Sequence, residues 1–540
     1  MNKKIVNKIQ AGIIAFAAIG MTYSCSDTWN EHYEDNALSS GETYLFQKIS
    51  ADNNISDFCE ILKATGYDKL LGEDQIYTVF APVNGSFDKA ALLDEINAGN
   101  KASVIKRFVN NHITRYNYSV TNTDKKLTLL NTKNVVLTET TIDGVEITDD
   151  NILCKNGVLH VVNAQIPFRS NIFEAMEIDP SLSAMYGFLE GYQEDSLDEA
   201  RSVYRGVDED GNRIYVDSVI ISTNKVMSSF DALIDREDSN YLVIVPTNEA
   251  YQKRYEEAKA LLNLHSIVNE RDSLMELYAN KYAMNNLYFN MNRNTDPNDS
   301  LVSTQYSKYT WEEDVFYNPY AEGGILTNYV EKIDCSNGEV YKVDEYPISI
   351  YDAFFKEIEI ETENTSTVNA DDDFTKTCTY ERIATPGMYR GLVSKDVLDV
   401  KPTNSSANPN ISFYLTDVLS GEYDIYVVLA PMSLKNYDVL GDTLPCKFQA
   451  NMFVKGENGK FSKTAIHNFD KVAFSNDPAK VDSVHIGTYK FESTFVGEAE
   501  AGWMLQVKSY VTSKERSQFS RELLVDRIIL APHKNEVTEE

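Results

Sequence analysis

The sequence predicts a multidomain chain in which two copies of one α/β module are followed by an all-β sandwich. Three observations lead there. The stretch YTVFAPVNGSFDKA at 77–90 returns as YLVIVPTNEAYQKR at 241–254, with the Tyr, Val, Pro, Asn and second aromatic in step. From about residue 357 onward, helical periodicity gives way to short alternating strands. A length of 540 residues is too great for one core and corresponds to roughly three domains. With 43% hydrophobic and 24% charged residues, each can bury a core of its own.

The first 24 residues stand apart. Lys3, Lys4 and Lys8 precede the apolar run AGIIAFAAIGM, which is short for a membrane span and is followed by small or polar residues and Cys25. This reads as an export signal. Thr22-Tyr23-Ser24-Cys25 resembles a relaxed bacterial lipobox, which implies cleavage of 1–24 and a lipid on Cys25 that holds the chain to a membrane without a spanning helix. The acidic tether at 25–41, with SDTWNEHYEDN, resembles that of Bacteroidetes-type lipoproteins. The resemblance implies lipid anchoring in the outer membrane, facing the exterior.

The formal net charge is −32, and removal of the signal with its three lysines leaves 47 Lys plus Arg against 82 Asp plus Glu, about −35. Such a chain repels nucleic acid and anionic headgroups, so nucleic acid is not an expected partner. Cys59, Cys154, Cys335, Cys378 and Cys446 are far apart and form no CxxC pair, which excludes a disulfide scaffold or a zinc site; Cys59 and Cys154, in strongly apolar surroundings, read as buried free thiols.

The modules are assigned to 42–168 and 169–350. Phe46, Ile49, Ile55, Phe58 and Leu62 match Phe173, Met176, Leu182, Met185 and Leu189 at an offset of 127, on helical faces. The offset grows to 164 at the YTVFAP strand and to 181 where KNGVLHVV meets SNGEVYKV, so the second copy carries insertions. One insertion, at roughly 195–230, contains Asp210-Gly211 between alternating segments, a hairpin signal. Asp208, Asp210 and Asn212 there are candidate calcium ligands that lack the later bidentate Glu. In each copy the YTVFAP-type segment is a buried strand ended by proline, and Asn84 is suited to turn or cap the helix that follows. Asn156-Gly157 is a hairpin turn into a closing strand.

The strand, Pro, Asn, aromatic pattern, with FVNNHITRYNYS and then NGVLHVV, resembles the fasciclin domain. The match is full in 42–168 and degenerate in 169–350, where Tyr341 replaces His160 and Leu287 stands in place of His112. The resemblance implies a β-wedge with a helical bundle, used for adhesion and for binding proteins or glycans without catalysis. It carries the family's adhesion segment onto Asn111 and His112, although the Tyr of that segment is absent.

The remainder, 357–540, reads as an antiparallel sandwich from ISFYLTDV, GEYDIYVVLAP, KFQANMFVKG and similar strands separated by turn signals. SGEYDIYVVLAP and RELLVDRIILAP resemble strands of jelly-roll, galactose-binding-like or carbohydrate-binding modules. A sugar site needs a stacking aromatic and hydroxyl-bonding amides or carboxylates, and Tyr389, Trp503 and Tyr510 are the candidate contacts. The run ADDDF at 370–374 is a second calcium candidate; no other cofactor is expected.

No GxSxG, HExxH, P-loop or dinucleotide fingerprint occurs, so catalysis is not expected. The expected role is a surface-anchored lipoprotein that binds a glycan or a surface protein, linked to a glycan-utilisation system. The alternatives are a structural accessory of an outer-membrane transport complex and, behind it, a glycan-acting hydrolase.

Overall fold

The computed structural model describes residues 41–199, 202–207, 213–217, 220–293, 296–306, 313–389, 395–435, 443–469, 473–497 and 501–534. The signal, Cys25, the tether as far as residue 40 and the Asp208, Asp210 and Asn212 loop lie outside the described residues. Among the described residues, no helix is long and apolar enough to cross a membrane.

The first module is built on a seven-stranded sheet. Its centre is Tyr77–Pro82, parallel to Gly157–Val162 and antiparallel to Ile113–Arg115. All residues of both parallel strands are buried because the sheet is covered on both faces. Val79 packs with the helices Leu45–Ala51 and Ser56–Thr65, whereas Phe80 faces a second cluster with Leu127, Leu137 and Ile142.

The second module repeats this centre in register. Tyr77 pairs with Gly157 and Pro82 with Val162 in the first; Tyr241 pairs with Gly338 and Pro246 with Val343 in the second. A Cβ at Gly157 or Gly338 would lie 1.8 Å from the carbonyl oxygen of Tyr77 or Tyr241, and both glycines have φ near +140°. Only glycine fits there. The preceding Asn is a second shared device. The Oδ1 of Asn156 accepts the amide of Leu45 at 2.7 Å, and its Nδ2 donates to the carbonyls of Leu71 and Glu73. Asn337 does the same with the amide of Ile172 at 2.8 Å and the carbonyls of Ile234 and Arg236. Each Asn supplies, from far along the chain, the acceptor that an orphan helix N-terminal amide needs.

Asn84 departs from its expected role. The cap of the following helix, Lys89–Asn97, is Asp88. Asn84 instead accepts the amide of Asp57 and donates to the carbonyl of Asn53, tying down the start of the preceding helix Ser56–Thr65. Asn248 repeats this with the amide of Ala184 and the carbonyl of Pro180. The repeated phrase therefore encodes a strand end and a long-range staple.

The insertion adds two antiparallel pairs, Gln193–Leu197 with Ile220–Asn224 and Val203–Val207 with Arg213–Asp217. Arg213 pairs with Val207, as the hairpin expectation requires; its turn lies outside the described residues.

The last part has two antiparallel sheets. One contains Cys378–Ala384, Asp396–Pro402, Leu523–Pro532, Gly421–Leu429 and Asp482–Phe491, with Ile358–Glu361 pairing onto Leu523–Pro532. The other contains Asn410–Leu415, Trp503–Ser509 and Lys447–Val454 with two short strands. Val400, Ile425 and Val427 of the first sheet meet Phe413, Phe448 and Leu505 of the second in one core.

That core does not stop at residue 357. It runs without a break into the second module through Leu262, Leu264, Ala353 and Phe355. The backbone joins as well: Ser420 N donates to Leu261 O at 3.0 Å, and Thr494 N to Asn263 O at 2.8 Å. His265 N donates to Thr494 O, and the His265 ring stacks on Phe495 at 4.6 Å. A boundary at 350–357 divides the sequence while leaving one continuous interior.

The first two modules meet at a charged hub. Lys133 Nζ, on the first module, reaches Glu174 at 2.6 Å and Glu237 at 2.5 Å on the second, and all three side chains are under a tenth exposed. Burial alone would raise the Glu174 carboxyl, but Lys133 and Lys106 outweigh it and hold the group below the usual range.

Candidate functional site

The residues singled out from sequence divide sharply. His112 is fully buried; its Nδ1 lies 2.7 Å from the Phe108 carbonyl, so that nitrogen donates, and Nε2 accepts the Ile166 amide at 2.9 Å. Burial pushes this imidazole down to about 4, so it is a neutral brace. Asn111 is also closed in, donating to the Ile166 carbonyl and accepting from Asn131. Neither presents an atom to a ligand, because both are consumed in tying the end of the module to its centre. Trp503 is a core residue: 3% exposed, its Nε1 donates to the Ser493 carbonyl at 2.8 Å, and Phe491 and Phe495 meet it edge-on. Tyr389 is half-buried with its hydroxyl 2.8 Å from Ser433 Oγ. Tyr510 alone among these is open, 42% exposed, with Lys447 Nζ 5.6 Å from its ring centre. In ADDDF, Asp371 accepts the Asp373 amide and Asp373 pairs with Lys463, so these carboxylates serve a turn and an ion pair.

The fold assembles a different site. Where the second module meets the sandwich there is a cleft of about 550 Å³. This lies within the roughly 300–1,000 Å³ range of small-ligand sites, and domain boundaries are where such sites concentrate. One wall comes from the last turn of the helix Arg271–Ala283, which carries Tyr282. The Tyr282 ring stacks on Phe354 at 5.4 Å and 16°, and Phe354 begins the segment that leads into the sandwich strand Ile358–Glu361. Tyr306, half-exposed, closes the strand Ser300–Tyr306 beside them. Leu419 and Tyr423 supply the sandwich side.

The polar part is organised by Asn286, the residue in the second module that stands where Asn111 stands in the first. It has φ +60°, a left-handed conformation that Asn tolerates. Its Nδ2 donates to Asp314 Oδ2 at 2.8 Å and to the Asp352 carbonyl at 2.9 Å, and its Oδ1 accepts from Ser303. Its amide donates to Gln305 Oε1, and Gln305 Nε2 donates to Asn285 Oδ1 at 3.0 Å. Lys356 pairs with Asp314. Arg293 grips Glu313 with both guanidinium nitrogens, and this fork holds the carboxyl below the usual range. On the sandwich side burial raises the Glu359 carboxyl, with Arg527 at 3.3 Å opposing the shift.

An aromatic pair beside fixed amides and carboxylates can hold a hydroxyl-rich ligand, the ring faces taking its C–H surface and the polar atoms its hydroxyls. Sequence reading missed Tyr282, Phe354 and the Asn285-Asn286 pair. The one local signal was the Asn-Asn step itself, at 110–111 and again at 285–286, in corresponding places of the two copies.

Residues 53–166 match the Fasciclin domain family. Among solved structures, the FAS1 domain pair of the insect cell adhesion molecule Fasciclin I is similar at 11% identity and a TM-score of 0.18, covering 57% of this chain and 97% of that one. The CBM22-1 xylan-binding domain of Paenibacillus barcinonensis Xyn10C is similar at 16% identity and a TM-score of 0.20, covering 33% of this chain and 95% of that one. The Podospora anserina GH26-CBM35 β-(1,4)-mannanase is similar at 13% identity and a TM-score of 0.19, covering 34% of this chain and 29% of that one. No curated protein matches the chain.

Proposed function

We propose that this chain is an exported, lipid-anchored binding protein that presents its modules outside the outer membrane and takes a glycan ligand, without catalysis. In this reading the second module is a diverged fasciclin copy and the terminal sandwich is the glycan-facing partner. The observation that carries the proposal is the cleft lined by Tyr282, Asn285, Asn286, Gln305, Asp314 and Phe354 and by the sandwich residues Leu419 and Tyr423, with its aromatic wall and prearranged amides and carboxylates. The fasciclin match at 53–166 supports a binding role, since that module class serves adhesion. The export-signal pattern before Cys25 supports the anchor, and the resemblance of this signal and module set to lipoproteins of glycan-utilisation systems supports a link to glycan utilisation.

A second reading has its own support. The buried Lys133 hub and the core shared across residue 357 tie the described modules to one another, as suits a structural subunit of an outer-membrane transport complex. The two readings part on one experiment. The chain from residue 26 onward is run through native gels containing plant, host and microbial polysaccharides, with and without calcium. Retardation by at least one polymer is expected. Unchanged mobility in every gel moves the assignment to the structural reading.

A further inference from the structure

Two adjacent side chains hold the segment through which the chain leaves its first module. His112 Nε2 accepts the Ile166 amide at 2.9 Å, and Asn111 Nδ2 donates to the Ile166 carbonyl at 2.9 Å, so both backbone polar groups of one residue are clasped. A few residues on, Asn171 caps the helix Ile172–Ile178 of the second module. The other ring nitrogen of His112 is committed to the Phe108 carbonyl at 2.7 Å. A proton can therefore enter only at Nε2, where the Ile166 N–H already sits, and two donors cannot face each other. The clasp and a charged His112 exclude one another. The ring is fully buried, with Phe58 and Phe108 at 5.8 and 4.8 Å. The ionisable groups on the elements packed around it are Asp57, Glu60 and Lys63 on the helix Ser56–Thr65, Lys106 and Arg107 ahead of it, and Arg169 on the exit segment. Asp57 and Glu60 pair with Lys89, Lys106 with Glu174, Arg107 with Glu95 and Arg169 with Asp143. None of them enters the balance at the ring, which burial sets with the Phe108 carbonyl opposing. The second copy keeps half of the clasp: Asn286 Nδ2 donates to the Asp352 carbonyl on its own exit segment, but Leu287 beside it has no proton to gain.

We propose that Asn111 and His112 form an acid-released latch on the segment joining the first module to the second, and that the exit of the second module lacks this device. Lifting residues 163–168 uncovers Nε2, and the open form takes the proton that the closed form refuses. Burial holds the closed imidazole at about 4, against an ordinary 6.5, so the latch is fully stable above pH 6.5 and is lost as pH falls towards 4. The opening constant grows by up to about tenfold per pH unit in that window, or about twentyfold from pH 7 to 5. The hub does not share the window at Glu174, whose carboxyl Lys133 and Lys106 hold below the usual range. Acid thus slackens the exit segment first, while the Lys133 pairs still tether the modules. His160 is the other buried imidazole of this module; its bonds run to the Asn151 amide and the Tyr118 carbonyl, and Asp149 and Asp150 favour its charged form.

The test is hydrogen–deuterium exchange of the chain from residue 26 onward at pH 7 and pH 5, with rates corrected for the intrinsic effect of pH on exchange. The Ile166 amide and its neighbours at 163–168 are expected to lose about twentyfold in protection, and the second exit at 344–352 less than about threefold. His112→Gln offers an acceptor and a donor of similar reach and does not titrate, so protection at 163–168 should become flat with pH. His160→Gln leaves the latch intact and should keep the full response, which separates the two histidines even where His112→Gln fails to fold. Equal losses at the two exits, or no loss at 163–168, overturn the proposal. So does a folded His112→Gln chain that responds like the unaltered one, or a His160→Gln chain that has lost the response.

Discussion

A chain ending at residue 356 is expected to lose the fold of its second module as well as the sandwich. The cut passes through a continuous core, and it strips the cover from Leu262, Leu264, Ala353 and Phe355, all less than a tenth exposed in the intact chain. Phe355 meets Tyr423 edge-on at 5.1 Å, and its ring sits so close to Gly421 that a Cβ there would lie 2.7 Å away. Each large apolar side chain returned to water forfeits about 1.5–3 kcal/mol, so the three losses at Leu262, Leu264 and Phe355 amount to a large share of a domain's stability. The backbone bonds from Ser420 and Thr494 to Leu261 and Asn263 go at the same time. Expression of 42–356 should give aggregated or partly unfolded protein, whereas 42–168, whose clusters are its own, stays soluble and melts cooperatively. A soluble 42–356 with a native-like melting transition would show that the shared core is only a contact. Deleting the sandwich is accordingly no clean way to locate a ligand, and point substitutions are.

The second large effect is expected at the hub between the first two modules. Lys133→Ala leaves the Glu174 and Glu237 carboxylates buried and facing one another without their shared ammonium. Removing one partner of a buried ion pair costs about 3–5 kcal/mol, because the remaining charge can be neither solvated nor paired. Lys106, at 2.8 Å from Glu174, and the Asn171 amide, at 2.9 Å, still serve one carboxylate, which places the cost near the lower end. About 3 kcal/mol corresponds to a fall in melting temperature of roughly 6–12 °C for a unit of 150–250 residues. The strain is relieved by opening the junction, so proteolysis between 163 and 171 should quicken as well. Lys133→Met combined with Glu174→Gln and Glu237→Gln removes the unpaired charges and should recover most of the loss. A Lys133→Ala chain that melts and digests like the unaltered one would show that water or rearrangement already serves these carboxylates.

The duplication was legible in the sequence because its bearers are local: a buried strand with a terminal proline, a helical stripe, and Asn-Gly before the closing strand. The parallel registers Tyr77 to Gly157 and Tyr241 to Gly338 are the structural counterpart of the offsets in the text. The partners of a repeated polar residue were not legible. Asn84 stands in front of a helix and reads as its cap, yet it holds the helix before the strand, since nothing in the local pattern records which amide is orphaned across the sheet. Trp503 shows the same limit in the sandwich: alternation places it on a strand but does not say which face is inside. The cleft was beyond sequence reading altogether. Its walls come from segments around 282, 305, 314, 354 and 419, and only the shared core brings them to one place.

In the proposed reading, ligand binds between the second module and the sandwich. Hydrogen–deuterium exchange of the chain from residue 26 onward, with and without a polysaccharide that retards it in native gels, tests this most directly. The account predicts slowed exchange at 282–290, 303–306 and 353–361, with the backbone around Tyr510 unchanged. Protection centred on 503–511, or spread over the first module alone, would contradict it.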